Sequence, residues 1–169
     1  ILFFLLFVFL VFLVGNDGAA VEDNLFEHRT VRLGYLYRPS FQEGMQDDEQ
    51  KNGFGYEYLQ KISYLSGWRY EYVYGTFETL FEKLKSGEID ILAGVRDTKE
   101  RRGLVNFSDF IMSQEDGENC YICTAKMRTD LLKKLNSTLS LIDSTEPFFL
   151  QELTRKYWHP IKLTDEFPE

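Results

Sequence analysis

The residues best suited to chemistry gather just after one apolar run. Gly94, Arg96, Thr98 and Arg101 follow Ile89-Asp90-Ile91-Leu92-Ala93. An arginine presents a planar fork of donors that can hold an anion bidentately, and a threonine ahead of Lys-Glu-Arg is placed to cap a short helix. A second group, Tyr37-Arg38-Pro39-Ser40-Phe41, ends another extended stretch. A strand opening into an aromatic and a proline makes a rigid mouth, where Tyr37 or Phe41 can stack on a flat or apolar ligand group. The alternatives are plain. Phe41 can simply pack beneath its loop, and Arg101 and Arg102 can form a solvated first turn beside Glu100.

These groups hold ligands; they do not transform them. No Ser-His-Asp set, paired-carboxylate cleft or metal cluster can be assembled, because the two histidines, His28 and His159, fall in polar flanking stretches. Cys120 and Cys123 have the C-x-x-C spacing, but Tyr121 to Thr124 reads as a strand, where positions three apart face opposite ways. Two core cysteines are favoured over a redox or zinc pair, and the second pair that a structural zinc site wants is missing. No metal, cofactor or catalysis is expected.

The elements that position these residues can be read in order. Thr30 to Leu36 alternates as a first strand, and Glu43 to Asn52 is an acidic, solvated loop. Tyr58, Leu59, Ile62 and Leu65 form a helical stripe stopped by Gly67, and Arg69 to Tyr74 alternates with Tyr70, Tyr72 and Tyr74 on one face. Thr76 is a fitting N-cap for a helix bearing Phe77, Leu80, Phe81 and Leu84, and Gly87 ends it. Ile89 to Ala93 is then too short for a helix and too continuously apolar for a half-wet strand, so it reads as a buried parallel strand. Strand, helix, strand, helix, strand argues an α/β fold with right-handed crossovers, and such sheets bind ligands beyond the carboxyl ends of their strands. After a second extended piece, Val105 to Phe110, the polar Gln114 to Asn119 reads as a turn before the strand at Tyr121 to Thr124. Leu131, Leu135, Leu139 and Ile142 mark a long helix, and Leu150, Leu153 and Tyr157 a last one after Pro147.

The whole chain fits one domain. Its 169 residues are 44% hydrophobic, enough for a packed core, and its formal charge of -8 argues against nucleic acid or an anionic membrane surface as a partner. Ile1 to Val14 is uninterrupted apolar sequence, followed by Gly18-Ala19-Ala20, which suits a signal-peptidase cut after Ala20. No basic stretch precedes it, so an uncleaved membrane anchor stays open. The expected division is an export signal or anchor over 1–20, a linker over 21–29, a lobe over 30–158 built from 30–113 and 120–158 across a short turn, and a C-terminal linker over 159–169.

With these stretches in view, the chain resembles the bacterial family-3 extracellular solute-binding proteins, which have the type 2 periplasmic-binding fold. The resemblance rests on Val31-Arg-Leu-Gly-Tyr35 ahead of Pro39 and Phe41, on Gly53-Phe-Gly-Tyr-Glu-Tyr-Leu59, on Gly75-Thr-Phe77, on Leu84-Lys-Ser-Gly-Glu-Ile-Asp90, and on Thr98-Lys-Glu-Arg101 followed by Phe107-Ser-Asp109. The piece from Tyr121 to Trp158 is similar to the family's last strand and helix pair. The wording of Gly55-Tyr-Glu-Tyr-Leu59 and Tyr72-Val-Tyr-Gly-Thr76 looks most like sensor modules ahead of histidine kinases and diguanylate cyclases.

The resemblance implies an α/β lobe, its sheet mainly parallel and flanked by helices, with the family's second lobe missing: only Ile111 to Asn119 stands in its place. It also implies an extracytoplasmic binding or sensing module for a small polar, amino-acid-like ligand, partnered by a membrane-bound transporter or a fused kinase or cyclase output domain. Phe77 falls where the family stacks an aromatic on the ligand, Thr98 where a hydroxyl and backbone N–H meet a carboxylate, and Arg101 where a guanidinium clamps it. Arg96 stands where amino-acid binders commonly show a small hydroxyl residue. A single lobe owns half a cleft, so weak binding is expected. A remnant lobe that contacts another protein is the second reading, and a dehydratase or lyase of the same fold the third.

Overall fold

The computed structural model describes residues 29–158. The expected export signal or anchor, most of the expected linker before residue 29, both histidines and the expected C-terminal linker lie outside the described residues. Among the described residues, no helix is long and apolar enough to cross a membrane.

Five strands form one sheet in the order β2-β1-β3-β5-β4. Strands β1 (Arg29–Tyr35), β2 (Trp68–Tyr74) and β3 (Ile91–Arg96) pair in parallel, β1 lying between the other two. Strands β4 (Val105–Glu115) and β5 (Glu118–Ala125) form an antiparallel hairpin that joins β3 antiparallel through β5. The lobe is α/β as expected, but its sheet is mixed: the βαβ alternation sets only its first three strands. The hairpin follows from Asp116 and Gly117, whose φ values of 51° and 81° both lie in the left-handed region that a tight two-residue hairpin turn requires. The polar run from Gln114 to Asn119 is therefore strand at both ends, and the turn is just its centre.

The helices begin and end where their caps allow. Helix α1 (Phe54–Ser66) stops at Gly67, in the left-handed conformation, whose N–H donates to the Ser63 carbonyl. Helix α2 (Phe77–Ser86) starts with Thr76 Oγ1 accepting from the Thr79 N–H and stops at Gly87, also left-handed. Helix α3 (Lys99–Arg102) is one turn, and helices α4 (Thr129–Thr145) and α5 (Phe149–Trp158) close the chain. Helices α1, α4 and α5 cover one face of the sheet, where Ile62, Leu135 and Leu153 meet Val31, Leu33, Ile91 and Ile122. Leu80, Phe81 and Leu84 of α2 cover the other face, against Ile89, Leu92, Val95 and Cys123. Ile122 and Cys123 thus pack on opposite faces. Both cysteine thiols are free and buried, and burial pushes both up, so neither is a ready nucleophile.

Strand β3 runs further than its apolar run predicts. It begins at Ile91 and continues through Gly94 to Arg96, while Ile89 and Asp90 lead into it, Asp90 N–H donating to the Arg32 carbonyl. Its register with β5 slips between Leu92 and Val95. Gly94, with φ 72°, sits at that bulge, and the bulge returns Val95 to the α2 face that Leu92 occupies. Gly94 and Arg96 are therefore carried by the strand itself.

Candidate ligand-binding site

A cavity of about 340 Å³ opens at the carboxyl ends of β1 and β3, lined by Leu36, Arg38, Phe77, Gly94, Arg96, Arg101 and Glu115. Its position follows from topology. Parallel strands deliver Leu36 and Gly94 to the same edge, the start of α2 delivers Phe77, and the end of β4 brings Glu115 across from them. The backbone can turn here because Gly94 has no side chain: a Cβ would stand 2.9 Å from Phe41 Cζ, a clash on top of the positive φ.

Arg101 is the cavity's available cation. Its Nη1 donates to the Arg96 carbonyl at 3.2 Å, its guanidinium carbon lies 4.9 Å from the Phe77 ring centroid and 5.5 Å from that of Phe81, and it forms no ion pair among the described residues. Phe77 and Phe81 stack with centroids 5.7 Å apart, giving the arginine a fixed aromatic floor. A second depression, lined by Phe77, Thr98, Arg101 and Leu104 among others, flanks Arg101 on its far side.

The other two arginines are engaged. Arg38 Nη1 donates to Glu115 Oε2 at 2.8 Å, and Nη2 lies in ion-pair contact with Oε1 at 2.7 Å without forming a hydrogen bond. Arg96 Nη2 donates to Asp116 Oδ2 at 2.8 Å, and its Nη1 reaches Glu118 Oε2 at 3.4 Å. All three carboxylates belong to the β4–β5 hairpin. A neighbouring cavity of about 390 Å³ shares Arg38 and Glu115 and is walled by Pro39, Gln114 and Trp158.

The structure therefore gathers Phe77, Gly94, Arg96 and Arg101 of the expected set and sets three residues apart. Phe41 is 1% exposed, its ring stacked near Phe54 and covered by the Arg38 guanidinium 3.9 Å from the centroid. It belongs to the core and offers a ligand no surface. Tyr37 is 54% exposed but does not line the cavity. Thr98 lines only the flanking depression, and its hydroxyl already accepts from the Arg101 N–H at 3.3 Å, capping a helix too short to add much of a dipole. Leu36, Arg38 and Glu115 were not foreseen. Arg38 is adjacent to the singled-out Tyr37, but Glu115 reaches it only through the hairpin. No group of His, Cys, Asp and Glu among the described residues could hold a metal ion.

Residues 32–159 match the family described as bacterial extracellular solute-binding proteins, family 3. The chain belongs to this family. No curated protein matches the sequence. Among solved structures, the arginine-bound form of domain 1 from TmArgBP is similar at 28% identity and TM-score 0.56, over 66% of this chain and 92% of that one. An L-cystine ABC transporter protein from Listeria monocytogenes shares the fold at 14% identity and TM-score 0.65, over 76% and 95% of the two chains. A histidine kinase sensor domain similar to periplasmic binding proteins shares it at 13% identity and TM-score 0.63, over 77% and 96%. Family and neighbours are binding proteins, including amino-acid binders and a sensor.

Proposed function

We propose that this chain is a non-catalytic, extracytoplasmic solute-binding or ligand-sensing module that holds a small polar, amino-acid-like ligand by its carboxylate. The observation that carries the reading is Arg101, a guanidinium without an ion-pair partner that faces a cavity at the strand ends over the Phe77 ring. Support for a lone lobe sufficing comes from the similar domain 1 of TmArgBP, described as the arginine-bound form of that domain. In this reading residues 30–158 are the binding lobe and residues 1–20 its export signal or anchor. A membrane-bound transporter or a fused kinase or cyclase output domain is the partner.

Because one side of the cavity is open, binding is weak, on the order of millimolar. Calorimetry across an amino-acid panel tests this. Replacing Arg101 with Ala removes a charge-assisted pair and weakens binding about tenfold or more, and Lys in its place rescues only part, lacking the fork. Micromolar binding untouched by Arg101→Ala overturns the assignment. Failure of every panel member to bind favours a protein-facing lobe, in which Phe77 and the exposed Tyr37 contact a partner.

A further inference from the structure

We infer that the β4–β5 hairpin sets the charge selectivity of this cavity: it admits a ligand with one carboxylate and a cationic far end and rejects dicarboxylates. The inference rests on the site proposed above and adds the ligand's second charge to it. Three arginines, Arg38, Arg96 and Arg101, line the cavity. Against them stand three carboxylates of one hairpin, with Glu115 on Arg38 and also 3.9 Å from Arg96, and with Asp116 and Glu118 on Arg96. The set is neutral as a whole but unevenly shared. The hairpin places three negative charges on two arginines, and Arg101 keeps its positive charge.

A ligand's first carboxylate therefore has one vacant cation, Arg101. A second carboxylate could reach Arg38 or Arg96 only by displacing an acid already seated at 2.7–2.8 Å. Those acids are tethered across a tight turn, so although such exposed pairs are individually weak they re-form readily against a ligand held only at millimolar strength. A displaced acid would also remain nearby and repel the newcomer, which is rejection by like charge. A cationic far end meets the opposite situation. Asp116 is 82% exposed and Glu118 52%, so both retain oxygens open to a further donor, and Glu115 lines the cavity itself. A guanidinium or ammonium group can join this network without breaking it.

The test measures arginine, glutamine and glutamate by calorimetry on the whole chain, its Arg101→Ala variant, and the double variant Asp116→Asn with Glu118→Gln. Asn also takes the positive φ that position 116 needs, so the hairpin turn survives, and an unchanged melting curve verifies it. The expected order is arginine, then glutamine, then glutamate, with roughly tenfold or more between the ends. In the double variant Arg96 keeps only its 3.9 Å contact with Glu115, so glutamate gains affinity and that ratio falls toward unity. Glutamate binding within about threefold of arginine, with both still weakened by Arg101→Ala, overturns the selectivity and leaves the site standing. Arginine binding unaffected by Arg101→Ala overturns the site. No binding of any of the three overturns both.

Discussion

The two ends of strand β3 carry the same chemistry to different ends. Just before it, the Asp90 carboxylate is 4% exposed and accepts from Arg32 N at 2.9 Å, from Arg32 Nε at 3.0 Å and from Arg32 Nη2 at 2.9 Å, with Arg128 beside it. Arg32 also donates to the Gly87 carbonyl at 2.8 Å, so one cluster ties β1 to the end of α2, the entry to β3 and the turn before α4. At the other end, Arg38 and Arg96 share the hairpin's carboxylates, and Arg101 is left over. Both are arginine–carboxylate clusters. In the first the carboxylate is shielded and saturated, which makes the cluster a fastening, though Arg32 itself is 39% exposed; the second is open and one partner short, which suits it to the proposed ligand. Burial and completeness, not residue type, separate the two.

That contrast is most sharply broken at Asp90. Asp90→Asn leaves two arginines around a site that no longer carries charge, and because the carboxylate is buried while Arg32 is 39% exposed, the loss is about 2–3 kcal/mol of stability in urea unfolding. A loss below about 1 kcal/mol would put this cluster in the same class as the exposed one. Acid should erase the effect. Burial alone would raise the Asp90 carboxyl, but hydrogen bonds from the Arg32 side chain and backbone, with the charges of Arg128 and Arg32, hold it below its ordinary value. A group depressed in the folded state stabilises fully above its unfolded value, near 3.9, and loses that contribution as pH falls through its folded value. The gap between wild type and Asp90→Asn should therefore be constant from about pH 6 to 5 and shrink below about pH 4. A gap that widens toward acid would contradict this sign.

Much of this arrangement could be read from the sequence, and the unread part has one physical cause. Thr76 and Gly87 bound α2, and Gly67 ends α1, because caps act through bonds to residues a few positions away. Leu131, Leu135, Leu139 and Ile142 are all buried, as a helical stripe demands. Phe77, Arg96 and Arg101 come to one cavity because the order of the parallel strands fixes which edge they reach. The misses are non-local. Whether Phe41 faces a ligand or the core depends on Phe54 and on Arg38 lying over it, and Glu115 is 77 positions from the Arg38 it pairs with. The extension of β3 past Ala93 needs a left-handed glycine inside a strand, which only the packing of Phe41 and Val95 calls for. Periodicity does not carry such demands.

Gly94 is a point where the open end of β3 is tightly packed, against the Phe41 ring. Gly94→Ala must both hold φ near 72° and find room for a methyl 2.9 Å from Phe41 Cζ. The conformational penalty alone is about 1 kcal/mol, and displacement of a ring stacked in the core brings the total to about 2 kcal/mol. Urea unfolding would measure it. A neutral outcome would mean that the bulge can relax and that the floor of the cavity is softer than the rest of the core.

The smallest effect should come from the pair that best resembles the Asp90 cluster on paper. Arg38 and Glu115 form an ion pair with contacts of 2.7 and 2.8 Å, the second of them a hydrogen bond, comparable in length to the contacts of Asp90. Their side chains are 33% and 22% exposed, however, and each borders a cavity through which water can replace the lost partner. Glu115→Gln keeps the shape of the side chain and removes its charge, so the expected loss is under about 1 kcal/mol, well below that of Asp90→Asn. Salt adds a second discriminator: ions should weaken the exposed pair, making Glu115→Gln nearly neutral at about 1 M, while the shielded Asp90 cluster keeps most of its contribution. Equal losses for the two variants, equally indifferent to salt, would show that the rim of the cavity is itself a structural fastening and that the molecule has no division between an anchoring and a binding end of β3.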